Sequence, residues 1–286
     1  MNTVTKRVAW QPLTPRGVAA FAEASFDRFQ LAKLLVAIFC SCSVAAFLWK
    51  TCSPVIRETI KALPESVRLE NGELKGVNAA VLEEGQIVSL MVDPQNSRIL
   101  SPTKDVQINF GRTGFEICIL RGVVGPYTFG CVGWLYQPDW NLPLGRSVLE
   151  PWWGAWHGMI FAAIGLAVFL VLVISWVFLA MLYTFPVRVY AFVMRRKITW
   201  SGSWRLAGAA LMPGAIFLAL GFWAYAFFLI DLVRFILIFL LHFVIGWVYL
   251  VTAPLTLDRL EPGGNKAAAQ VALELKQKGT KNPFIP

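Results

Sequence analysis

The chain has 286 residues, 57% of them hydrophobic and only 15% charged, and carries a formal net charge of +9. That balance is too apolar for an ordinary soluble domain and too unevenly distributed for one large buried core. The excess positive charge stands beside long apolar runs, which points to membrane topology and anionic headgroups rather than nucleic acid.

A bilayer core about 30 Å thick takes roughly 20 apolar residues per helix, and four stretches meet that need. Ahead of the first lies a basic segment, residues 1–33, with Lys6, Arg7, Arg16, Arg28 and Lys33, expected on the cytoplasmic side. The first span, 34–49 (LLVAIFCSCSVAAFLW), is short, and Lys33 and Lys50 lengthen it by reaching to the interfaces. The polar stretch before it is far longer than the leading region of a signal peptide, so a retained anchor is expected. Cys40 and Cys42 within it read as small packing residues rather than metal ligands.

Residues 50–151 are expected to form a small α+β domain, mostly β, outside the cytoplasm. The segment from Lys50 to His157 carries ten basic and eleven acidic side chains, so no positive bias holds it inside. It opens with TCSPVIRETIKALPE, where Ser53 can cap, Pro54 suits a first turn and Ile56, Ile60 and Leu63 share a face, the pattern of a short amphipathic helix. Strand-like segments follow at 66–70, 78–82 and 86–93, bounded by Asn71-Gly72, Glu84-Gly85 and Asp93-Pro94. Val106, Ile108 and Phe110 then alternate with polar residues, and GRTG leads into Phe115, Ile117 and Ile119, a β-hairpin signal. Residues 127–136 offer a further strand. Cys118 and Cys131 suit one disulfide in an oxidising compartment, although Cys52 lies on the same side and spacing alone does not fix the pairing. The segment has no histidine before His157 and no nucleophile with a positioned base, so neither a catalytic set nor a cofactor or metal site is expected.

The run LEPWWGAWHGM brings Trp152, Trp153 and Trp156 to the start of the second span, 152–184. Indole rings favour the headgroup region, so an interfacial girdle is expected, with a carbohydrate platform or a quinone site as the sharper alternative. His157 is then an interfacial residue or a titrating switch. Residues 185–206 form a basic cytoplasmic loop in which Arg195, Arg196 and Lys197 are candidates for anionic lipid headgroups, or simply close a long second helix. In the third span, 207–229, Ala210, Gly214 and Gly221 lie near one stripe and Pro213 predicts a kink. A short external turn at 230–234 separates it from the fourth span, 235–252. Asp231 and Arg234 are expected at that interface as a pair, with an ion site at mid-membrane depth as the alternative. His242 is expected to hydrogen-bond a neighbouring helix. The tail, 253–286, returns to the cytoplasm and includes a helical stretch at 265–279 with Asn265 as cap and Gly279 as stop.

The order of these parts, with Leu63-Pro64, Asn71-Gly72-Glu73-Leu74 and Asp93 in the outer segment and Arg205 and Pro213 around the third span, resembles an uncharacterised bacterial family of multi-pass membrane proteins. Genes of that family often lie near maltodextrin-utilisation genes, and its membrane half is similar to the Yip family. The resemblance implies architecture alone, because the family carries no agreed activity. The chain departs from it in the tryptophan-rich run 149–157 and in the charged tail 258–286. The expected fold is thus an α-helical integral membrane protein with four transmembrane helices and an extracytoplasmic α+β domain between the first two. The expected role is non-enzymatic, an accessory, scaffold or assembly subunit whose partners are the bilayer and other membrane subunits or a second copy. An extracytoplasmic ligand sensor and a small transporter are the alternatives.

Overall fold

The structure is a computed structural model and describes residues 11–77, 80–95, 104–121 and 128–260. The expected tail helix at 265–279 and part of the expected strand 78–82 lie outside them. Four helices are long and apolar enough to cross a membrane: α2 (Phe26–Ala62), α3 (Arg146–Val193), the tandem of α4 (Trp200–Ala210) and α5 (Met212–Ala226), and α6 (Leu232–Leu255). In the most apolar windows of α3 and α6 only 11% and 6% of residues are buried, against 56% for the α4–α5 tandem. Helices this apolar and this bare have no protein core to fill on those faces.

The chain divides into two compact units. The first comprises Met1–Leu34, Ile174–Gly214 and Phe243–Pro286. It begins with α1 (Pro15–Ala20), started by Thr14, whose hydroxyl accepts from the Gly17 amide, and by Pro15, whose missing N–H costs nothing in a first turn. Phe29 of α2 fills its centre, edge-on to Phe21 and to Trp204 at 6.2 and 5.2 Å. Gly208 admits that ring, since a Cβ there would stand 2.6 Å from Phe29 Cζ. The Trp176 indole donates to the Gly208 carbonyl at 3.1 Å, joining α3 to α4.

The second unit comprises Leu35–Val173 and Ala215–His242. It holds both sheets. A three-stranded antiparallel sheet has the order β2 (Glu73–Lys75), β1 (Arg68–Glu70), β8 (Leu142–Pro143). A five-stranded sheet runs β3 (Val81–Glu84), β4 (Val88–Val92), β5 (Val106–Phe110), β6 (Gly114–Arg121), β7 (Thr128–Leu135). Its strands are antiparallel except for β4 and β5, which are parallel, with Val88 opposite Val106 and Val92 opposite Phe110. The β5–β6 hairpin closes where Phe110 faces Phe115 and the Gly111 amide donates to the Gly114 carbonyl. One face of the large sheet is apolar through Leu90, Ile108 and Ile117, while the other carries Ser89, Gln107, Asn109 and Glu116. The apolar face continues into a core of Val55, Leu63, Val67, Leu69, Leu74 and Val92.

The helices run further than the charge boundaries suggest. The amphipathic stretch after Lys50 is not a separate helix: α2 passes through Pro54 and ends at Ala62, since burial of Val55 and Ile60 offsets the one amide that proline lacks. Helix α3 is 48 residues long and absorbs both the tryptophan run and residues 185–193 of the expected cytoplasmic loop. The third span breaks at Leu211, because Pro213 has no amide to offer the Ala209 carbonyl and its ring crowds that turn. The reversal into α6 lies at 227–231, a few residues before its expected place, with Phe228 in the left-handed region at φ 58°.

Candidate functional site

Where α2 leaves its apolar stretch, its last turns present Ile56, Ile60 and Leu63 on one face, with Thr59 between them. The small sheet sets the paired Leu69 and Leu74 opposite, β4 adds Leu90 and Val92, and the first turns of α3 add Leu149, Trp152 and Trp153. These surfaces enclose a cavity of about 350 Å³. Its size is at the lower end of small-ligand pockets.

The polar atoms in the lining face away from the space. The Thr59 hydroxyl donates to the Val55 carbonyl at 2.8 Å, and the Tyr136 hydroxyl to the Gly111 carbonyl at 3.4 Å. Burial pushes the Tyr136 phenol up to about 12. Charged groups stay outside the lining. Glu65 accepts from the Ser147 hydroxyl at 2.6 Å and the Ser147 amide at 3.0 Å, which caps α3 and holds the carboxyl below its usual range. Arg146 pairs with Glu150 at 3.1 Å. Among the described residues lining the cavity none is a carboxylate, a histidine, a cysteine or a basic residue. Such a surface can hold hydrocarbon.

The tryptophan run divides by exposure. Trp153 is buried against Ile60 and Phe161, whereas Trp152 and Trp156 remain 50% and 46% exposed. The helical period explains this, because Trp153, His157 and Phe161 repeat every four residues on the side facing α2. His157 Nδ1 lies 3.0 Å from the Trp153 carbonyl, and its ring is edge-on to Trp49 at 6.3 Å. Trp140 and Leu142 also belong to the cavity and carry no periodic signal that separates them from loop residues, while Tyr136 closes the expected strand 127–136.

Asp231 and Arg234 do meet, with Arg234 Nε 3.6 Å from Asp231 Oδ2, both more than half exposed. Asp231 is chiefly a helix cap, taking the Arg234 amide at 2.8 Å to start α6. His242 Nδ1 meets the Phe239 carbonyl one turn back on its own helix. The basic trio separates too. Arg195 ends α3 in the left-handed region, Arg196 donates to the Leu257 carbonyl at 2.6 Å, and the Lys197 amide donates to the Asp258 carbonyl. Arg196 therefore bonds the segment that follows α6, while Arg195 and Lys197 remain exposed.

On the polar face of the large sheet, Gln107 donates to Asn109 at 2.7 Å and Asn109 to Glu116 at 2.9 Å. Beside them Cys118 and Cys131, directly opposite each other on β6 and β7, form a disulfide across a Cα separation of 4.1 Å. The Glu116 carboxylate lies within 4.8 Å of both sulfurs. With the sulfurs bonded to each other, that trio presents one anionic oxygen and no thiolate.

Compared with known proteins, the chain matches no family model, no curated protein and no solved structure.

Proposed function

We propose that the chain is a non-enzymatic membrane protein whose sheet domain binds an apolar ligand. In this reading all four long helices cross the bilayer and both termini lie in the cytoplasm, with the sheet domain on the opposite side. The placement of Arg188, Arg195, Arg196, Lys197 and Arg205 without one acidic residue between the second and third spans supports that orientation. The observation that carries the binding role is the cavity itself, built jointly by α2, α3 and both sheets, so that filling it bears directly on two membrane-crossing helices. Full-length protein in nanodiscs should melt higher in the presence of iodobenzene, a small apolar probe, and Leu74→Phe should abolish the shift. No shift in the parent protein would overturn the binding role. Labelling of Asn141→Cys in intact cells by a membrane-impermeant maleimide tests the orientation, and labelling only after lysis would reverse it.

A second reading, an accessory or assembly subunit, is favoured by a different surface. Ile119, Val132 and Trp134 lie on the apolar face of β6 and β7 and are 51%, 60% and 48% exposed, a hydrophobic stripe of the kind that partner subunits cover. Purification in mild detergent should then recover a partner in fixed ratio, and a lone monomer under several detergents would count against it.

A further inference from the structure

Resting on the apolar-ligand reading, we propose that the occupant of the cavity is one hydrocarbon chain of a phospholipid drawn from the adjacent leaflet, its headgroup left at the rim. Three observations converge on this class of ligand.

The first is the chemistry of the lining. Its hydroxyls are already bonded to backbone carbonyls, so a peptide or sugar would lose its own hydrogen bonds on entry without gaining others. A hydrocarbon chain loses none.

The second is continuity. Ile60 and Trp153 line the cavity and also form a cluster with Phe161 that extends to Leu48, Ile160 and Ile164 along α2 and α3. Gly165 lets these two helices close together, since a Cβ there would sit 3.3 Å from Ala45 Cβ. Trp49 lies over the same Phe161 ring at 6.3 Å. Apolar surface thus continues without a polar break from the membrane-crossing part of the helix pair to the cavity wall, so a chain reaching the cavity along it stays out of water.

The third is the mouth. Trp140, Leu142 and Trp152 line the cavity and are 44%, 48% and 50% exposed. Indoles settle at the headgroup level, apolar face toward chains and N–H toward water, which fixes the rim at the depth where a lipid changes from chain to head. Arg146 and Glu150 stand one turn earlier on α3, on the headgroup side.

The test uses full-length protein in phosphatidylcholine nanodiscs doped with a phosphatidylcholine bearing a diazirine at the end of one acyl chain. After illumination and digestion, adducts should appear in peptides covering 56–74 and 136–153, in addition to those on the exposed faces of α3 and α6. Leu74→Phe fills the cavity, and the half-exposed Trp152→Glu sets a charge in its mouth. Each should lower the cavity adducts about tenfold and leave the α6 adducts unchanged, the latter serving as the control that the variant is folded. Cavity adducts equal in all three proteins would show labelling from the outer surface and overturn the inference. Absent cavity adducts beside a normal iodobenzene shift would overturn the lipid chain while leaving the apolar-ligand reading in place. Loss of both would remove both.

Discussion

Tyr225 ties the large sheet to α5, and its replacement by phenylalanine isolates one hydrogen bond. It stands near the end of α5, 4% exposed, with its ring stacked on Phe47 at 5.6 Å and on Phe235 at 4.9 Å. Its hydroxyl donates to Asp105 Oδ2 at 2.5 Å, immediately before β5, and the next amide, Val106, donates to the Ile87 carbonyl. Tyr225→Phe keeps both ring contacts and removes only the donor. A hydrogen bond to a charged acceptor contributes about 1.5–3 kcal/mol. Asp105 is only half-buried and can recover water, so the lower end, about 1.5 kcal/mol, applies. That corresponds to roughly tenfold faster exchange of the amides of β4 and β5 when their opening is local. Hydrogen exchange read by mass spectrometry over 87–92 and 104–110 measures it. Asp105→Ala should give a similar change, and the double variant little more than either alone. A coupling below about 0.3 kcal/mol in that cycle would refute the assignment.

The remaining predictions concern packing, the disulfide and acid. Gly208→Ala should cost about 1–3 kcal/mol by overpacking, because its Cβ would meet Phe29 Cζ at 2.6 Å, and Gly221→Ala should behave alike against Ile238 Cγ2 at 2.6 Å; thermal unfolding in one detergent checks both. Replacing Cys118 and Cys131 together by alanine opens a loop with a sequence separation of 13 and should destabilise the β6–β7 hairpin by about 3 kcal/mol on the chain-entropy account, seen as proteolysis confined to that hairpin. Glu65 has a folded carboxyl pKa below its unfolded value near 4.3, so its contribution is present above that value and is lost as pH falls through the folded one. The first-turn amides of α3 should lose protection in acid in the parent protein, and Glu65→Gln should remove that pH dependence. Tyr136 has the opposite sign: its contribution is complete below the ordinary phenol value of about 10 and is lost as pH rises toward about 12, where the tyrosinate absorbance should appear.

Local signals were legible in the residues where one rule governed. The β5–β6 hairpin follows from alternation plus glycines at both ends of GRTG, and the four apolar helices follow from run length. Strand β2 was missed although its turn was in view: Asn71 and Gly72 both take positive φ, 51° and 71°, the two-residue loop that returns a strand directly. With only Leu74 between Glu73 and Lys75, the returning strand is too short for alternation to register. Helix ends were misplaced because charges mark where lipid stops, whereas a helix stops where its backbone loses partners or meets a proline, as at Leu211. The parallel pairing of β4 with β5 and the cavity share another cause. Both depend on contacts between residues far apart in the chain, such as Ile60 with Trp153, and no periodicity encodes those.

The contact between Glu65 and Ser147 closes more than a helix end. The Leu144 amide donates to the Val67 carbonyl at 3.0 Å, Arg68 faces Pro143, and a Cβ on Gly145 would lie 2.5 Å from the Glu65 carbonyl oxygen. Entry and exit of the sheet domain therefore pass through a single neck, and glycine at 145 keeps it narrow. In this respect the domain is an insertion between the ends of α2 and α3, tied also to α5 through Tyr225. Residues 66–144 could be exchanged for a short turn, or for another folded module with adjacent termini, with the ends of α2 and α3 still facing each other.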